Sequence, residues 1–214
     1  PVTTVAPAFV DIIATSATKT LANNVLAGTS GSASVVIRNQ GNVDARGTAV
    51  ITFYASKTTE LDESAVEVGS VTRNLSLKPN ATTTVKGTVI MPTVEEATEL
   101  YLIAVVDYDP TTGPDDSVVD NNAAVTPTTL VAPAFVDIVA VSATETLASA
   151  VLGGTSGKAS VVIRNEGNVQ AKGNAVVTFY ASATGQVDED AVEIGSVTRS
   201  VSLKTNGTTT ITGD

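Results

Sequence analysis

Between residues 30 and 92 the chain alternates apolar and polar side chains in short runs. In residues 33–39, Ala33, Val35 and Ile37 fall on one side and Ser34 and Arg38 on the other, the period of two expected of a half-buried strand. Asn39-Gln40-Gly41-Asn42 then supplies turn residues, and a second inward row follows at Ala49, Ile51 and Phe53, with Thr52 and Tyr54 outward. Val66, Val68 and Val71 mark a further strand around Gly69, and residues 82–91 alternate again until Pro92 stops them. Adding a first strand at 9–17, a sixth at 101–107 and a seventh at 118–125 gives seven short strands joined by polar turns, and no stretch carries the period of a long amphipathic helix. Val, Ile, Thr and Ala dominate, as suits pleated, half-buried backbone. The pattern predicts an all-β fold, an antiparallel sandwich of the immunoglobulin-like kind.

The whole pattern then repeats. The segment Ala6-Pro7-Ala8-Phe9-Val10-Asp11-Ile12 returns as Ala132-Pro133-Ala134-Phe135-Val136-Asp137-Ile138, and an ungapped register holds to Asp214, with 61 of the 88 aligned pairs identical. Such self-similarity marks a tandem array. Residues 1–126 read as one complete repeat, 127–132 as a linker, and 133–214 as a second repeat without the last two strands. The linker contains proline, no glycine and no serine, and so should be extended and semi-stiff. Units strung on it should advance about 40 Å each, from strands of eight to ten residues at about 3.3 Å per residue plus turns. Two expectations stay open for the second copy. Either it is a window on a longer repetitive polypeptide, or the chain ends there and a strand from a neighbour completes the sandwich, since an open edge invites pairing.

The ordered series Val36-Ile37-Arg38-Asn39-Gln40-Gly41, Thr52-Phe53-Tyr54-Ala55-Ser56, Leu61-Asp62-Glu63, Val68-Gly69-Ser70, Leu77, Tyr101-Leu102-Ile103-Ala104-Val105-Val106-Asp107 and Asp120-Asn121-Asn122 resembles the CARDB family, the cell-adhesion-related domain found in bacteria. The resemblance spans nearly all of residues 7–126 and the available part of 133–214. It implies immunoglobulin-like sandwiches in secreted or surface-anchored prokaryotic proteins, with adhesive, spacer or scaffolding roles and no catalytic residues. One departure is Val118-Val119-Asp120, where the family often carries a Glu-rich run.

Composition excludes many functions. The 214 residues contain no Cys and no His, so this chain alone builds no disulfide, thiolate nucleophile, His-ligated zinc or Ser-His pair. A net charge of -10 and the lack of any basic stripe argue against nucleic acid and anionic lipid as partners. The apolar runs are far shorter than the roughly 20 residues that cross a bilayer. The expectation is a non-enzymatic extracellular or cell-surface-anchored structural protein, a filament, stalk or adhesin spacer whose partners are further copies of the repeat. The alternative is a module that binds a surface glycan or protein through loops at one end of each sandwich. With 4% aromatic residues and no Trp, a carbohydrate-stacking platform has little support.

Charge is concentrated in residues 89–126, which hold eight acids and no Lys or Arg. Asp107, Asp109, Asp115, Asp116 and Asp120 crowd one hairpin loop there, and hard oxygen ligands of that sort suit calcium. The competing reading is a solvated loop whose Asp, Asn, Gly and Pro serve turn geometry, because the spacing matches no EF-hand. Asp62 and its counterpart Asp188 sit in a second acidic loop, read as exposed and solvated. Tyr101 is placed to form the tyrosine corner of a Greek-key sandwich. Asn80 and Asn206 each begin an Asn-x-Thr acceptor triplet at equivalent repeat positions, candidates for glycosylation in a secreted chain.

Overall fold

The computed structural model describes residues 6–213 of the chain and divides them into two compact units, the first running to Pro133 and the second from Ala134. Nearly all regular structure is strand, as the alternation predicts.

In the first unit, β1 (Ile12–Lys19), β3 (Ser30–Asn39) and β6 (Thr82–Ile90) form one antiparallel sheet in the order β1-β3-β6. The facing sheet is built on β4 (Ala45–Ser56), flanked by β5 (Val66–Leu77) and by the long β7 (Thr98–Thr112). After a single 3-10 turn at Val119–Asn121, β8 (Ala123–Val125) adds to the middle of β7. The expected inward rows are where the core lies: Ala33, Val35 and Ile37 from one sheet meet Ala49, Ile51 and Phe53 from the other, all 1% exposed or less. The Gly69 region is a β-bulge, since the β4–β5 register shifts between Phe53 and Tyr54, and an extra residue there turns Val68 inward while Val66 stays exposed.

Two short strands were not legible in the alternation. Residues 127–132, expected to be a linker, contain β9 (Thr129–Ala132), which pairs antiparallel with residues 98–100 of β7 and parallel with β2 (Asn24–Leu26). Val131 is fully buried in the first core. The Lys19 ammonium donates to the Thr128 carbonyl and the Thr129 hydroxyl, fastening the same segment, and partial burial lowers the Lys19 pKa. Residues 129–132 are therefore part of the first sandwich, because their apolar side chains and backbone groups find partners there.

The second unit repeats the two-sheet plan with fewer strands. β10 (Ile138–Glu145), β11 (Ala159–Asn165) and β14 (Thr208–Gly213) reproduce β1-β3-β6, and β12 (Ala171–Ala181) pairs with β13 (Val192–Leu203) as β4 does with β5. Its buried core is Val161, Ile163, Ala171, Leu203 and Ile211. Phe179, the counterpart of the fully buried Phe53, is only partly covered. Nothing among the described residues occupies the β7 seat beside β12.

Candidate functional site

The acidic hairpin resolves into side chains with different tasks. Asp107 and Asp109 lie two residues apart on the outward face of β7, both exposed, while their neighbours Val106 and Tyr108 point into the core. Asp116 turns the other way. Its carboxylate accepts the Ile12 N–H at 3.2 Å, the Val118 N–H at 3.4 Å and the Asn122 side-chain amide at 2.9 Å. The Ser117 N–H donates to the Val10 carbonyl, and the Asn121 amide donates to Asp11 at 3.0 Å. Together these contacts latch the loop after β7 onto the start of β1. Asp115 and Asp120 are exposed.

The calcium reading of Asp107, Asp109, Asp115, Asp116 and Asp120 therefore finds no assembled ligand set. Among the described residues no group of three or more His, Cys, Asp or Glu side chains is placed to hold a metal ion. The strand alternation sends two of the acids outward, and the oxygens of a third are taken by two backbone N–H groups and the Asn122 side-chain amide. The Asp62 loop is likewise self-contained. Its carboxylate accepts the Ser64 hydroxyl at 2.6 Å, the Thr58 hydroxyl at 2.8 Å and the Ser64 N–H at 2.8 Å, and these bonds, the Ser64 hydroxyl foremost, hold its pKa below the usual carboxylate value. Asp188 repeats the arrangement with Thr184 and the Asp190 N–H.

Asn80 and Asn206 owe their positions to backbone geometry. Both have positive φ, 64° and 60°, and each precedes a residue whose N–H closes a four-residue turn, Ala81 to the Lys78 carbonyl and Gly207 to the Lys204 carbonyl. A type II turn needs a residue that tolerates φ > 0 at that place, and Asn does so at little cost. Both side chains are exposed; the Arg38 guanidinium donates to Asn80 Oδ1 at 2.6 Å. The tyrosine corner does not form. Tyr101 is half-buried and makes no side-chain hydrogen bond among the described residues, and the core tyrosine is Tyr108, whose hydroxyl pKa is raised by burial.

One functional node escaped the sequence reading. Asn39, at the end of β3, is fully buried. Its amide donates to the Val43 carbonyl at 2.8 Å and the Leu77 carbonyl at 3.0 Å, and its Oδ1 accepts the Gly41 N–H at 3.0 Å. Asn42 then clamps the incoming chain, accepting the Phe9 N–H and donating to the Pro7 carbonyl. Asn165 and Asn168 repeat the scheme, with donations to Val169 and Leu203 and an acceptance from Phe135. The signal was the recurrence of Asn39-x-Gly41-Asn42 as Asn165-x-Gly167-Asn168; turn propensity accounted for it too readily.

A cleft of about 600 Å³ in the first unit is bordered by Lys57, Ser64, Glu95, Glu96 and Leu100. Its Ser64 hydroxyl donates to the Asp62 carboxylate. No helix among the described residues is long and apolar enough to cross a membrane.

No protein-family model and no curated protein matches the chain. Among solved structures it is similar to a CARDB domain from Pyrococcus furiosus determined in complex with di-metal ions, at 15% identity and a TM-score of 0.39, over 60% of this chain and 99% of that one. It is also similar to a β-glucosidase from Erythrobacter marinus, at 15% identity and a TM-score of 0.35, over 57% of this chain but only 15% of that one. A chaperone–tip adhesin complex of CFA/I fimbriae aligns over 91% of this chain and 87% of its own at 11% identity, with a TM-score of 0.25. These likenesses are loose, and the all-β sandwich assignment rests on the strands and pairings described above.

Proposed function

We propose that this chain is a non-enzymatic structural array, a stretch of an extracellular or surface-anchored filament, stalk or adhesin spacer whose partners are further repeats of the same kind. The observation that carries the reading is the repeat itself: two sandwich plans, 61 of 88 aligned positions identical, with polar side chains consumed by turns and latches instead of gathered into a site. The resemblance of the sequence motifs to CARDB domains supports the adhesion-related context. Electron microscopy of the polypeptide isolated from its source tests it. An axial repeat of about 40 Å per sandwich, set by strand length, is expected along an extended particle. Compact particles without axial periodicity, or glycan retention abolished by loop substitutions at residues 113–118, would replace the structural reading with that of a ligand-binding module.

A further inference from the structure

We propose that β9 is a shear clamp that lets the first repeat carry tension: a pull between its entry at Val10 and its exit at Ala132 loads the β2–β9 and β7–β9 pairs along the strands, so that their hydrogen bonds yield together. The inference deepens the array reading and rests on it for the source of the tension.

Strand direction sets this geometry. The chain comes in at Val10, which bridges to Asp116 just past the C-terminal end of β7, and goes out through β9, whose Val131 lies opposite Thr98 at the start of β7. Entry and exit are thus at opposite ends of the 15-residue β7. β2 runs parallel to β9, in the register Asn24↔Leu130, Val25↔Val131 and Leu26↔Ala132. Drawing the N-terminal side of one parallel strand against the C-terminal side of the other slides the two along a common axis. The evenly spaced bonds of a parallel pair then share the load, and none can open ahead of the rest. The antiparallel pair with β7 is loaded the same way, because β7 is held at its far end, beside the entry, while β9 is drawn out past its start.

Burial and side-chain bonds strengthen the clamp. Thr129 and Val131 are fully buried, so a slip of β9 by one residue would turn them out of the core and bring Leu130 in from the other face. Two backbone bonds frame the β2–β9 pair: the Leu130 N–H donates to the Asn23 carbonyl and the Ala27 N–H to the Ala132 carbonyl, both at 2.8 Å. At the end of β1 the Lys19 ammonium donates to the Thr128 carbonyl at 2.9 Å and to the Thr129 hydroxyl. That side chain ties the strand by which the chain enters directly to the strand by which it leaves. A short strand held on both edges, anchored in the core and cross-linked to β1 is what an axial load must dislodge before the first sandwich can open from its exit side.

The test is single-molecule pulling on the whole chain. Its sequence contains no Cys, so a pair of introduced cysteines fixes where the force acts. Ala8→Cys with Ala134→Cys pulls from entry to exit. Glu96→Cys with Ala134→Cys draws apart the adjacent ends of antiparallel β7 and β9 and unzips them from the Thr98–Val131 pair. All three positions are exposed, and both pairs leave the second unit outside the load path. Forced unfolding is governed by the unfolding rate under load, and at one loading rate the entry-to-exit rupture force should be at least about twice the unzipping force. Leu130→Pro deletes the N–H bonded to Asn23 and should bring the entry-to-exit force to within about 1.5-fold of the unzipping force. The milder Lys19→Met should lower it by about a fifth or more, while Asp62→Asn, in a loop off the load path, should leave it within about a tenth. The proposal is overturned if the two directions rupture at equal force, or if either the Lys19 or the Leu130 variant leaves the entry-to-exit force unchanged, which would put the barrier at β1. These forces belong to one repeat and do not depend on axial periodicity along a particle, so failure here is distinguishable from failure of the array reading.

Discussion

Replacing Asn39 by alanine removes the most heavily used polar side chain of the first core. The substitution orphans the Leu77 and Val43 carbonyls and the Gly41 N–H, which the Asn39 amide now satisfies at 2.8 to 3.0 Å. Each such bond is worth about 1 kcal/mol net, and a buried group left without a partner costs about 1–3 kcal/mol. The Gly41 bond lies in a turn whose N–H could reach water after relaxation, so we take about 1 kcal/mol for each of the three bonds, about 3 kcal/mol altogether. In a unit of this size the melting temperature should fall by roughly 10 °C. Three of the four tyrosines, Tyr54, Tyr101 and Tyr108, belong to the first unit, so intrinsic tyrosine fluorescence during urea unfolding reports mainly on it, with far-ultraviolet circular dichroism following both units. Asn39→Ala should shift the fluorescence midpoint and leave the second unit's transition in place. Asn165→Ala should do the reverse. A loss below about 1 kcal/mol for Asn39→Ala would refute the reasoning, since it would mean that the three groups were never dependent on this side chain.

Asp116→Ala should destabilise the first unit by about 2 kcal/mol, because it strips acceptors from Ile12 N–H and the buried Asn122 amide, and calorimetry should show the loss whether or not calcium is present. Gly47→Ala should cost about 2 kcal/mol by forcing β4 from β7, as the new methyl would meet the Asp109 carbonyl oxygen at 2.2 Å; equilibrium urea unfolding measures it. Because the Asp62 pKa is depressed in the folded chain, the contribution of its bonds is present above the unfolded carboxylate pKa and lost as pH falls through the folded value. An Asp62→Asn variant should therefore match the parent in strongly acid solution and fall behind it at neutral pH. Carboxyl chemical shifts should return Asp62 toward its ordinary titration range in a Ser64→Ala, Thr58→Val chain.

The inward rows 33-35-37 and 49-51-53 could be read without coordinates because alternation is a local property of a strand lying on a core. The acidic hairpin is not legible in the same way. Proximity along the chain says nothing of which face each carboxylate takes, and the pleat sends Asp107 and Asp109 outward while Asp116 is captured by the N–H of Ile12, more than a hundred residues earlier. Asn39 is hidden in the sequence because, next to Gln40-Gly41-Asn42, it looks like turn chemistry, and its partner Leu77 is 38 residues away.

By itself the sequence determined the repeat, the all-strand character, the faces of the major strands and the absence of His and Cys chemistry, all of which follow from residue type and spacing. Tertiary structure alone decided which of the repeated residues are paired and buried. Val25-Leu26 is a strand against β9, more than a hundred residues further along the chain, which no local signal announces. Ile12 is fully buried, its N–H held by Asp116 more than a hundred residues later. A strand's hydrogen bonds and its apolar burial are both supplied by neighbours distant in the chain, so residue type and local spacing alone settle neither.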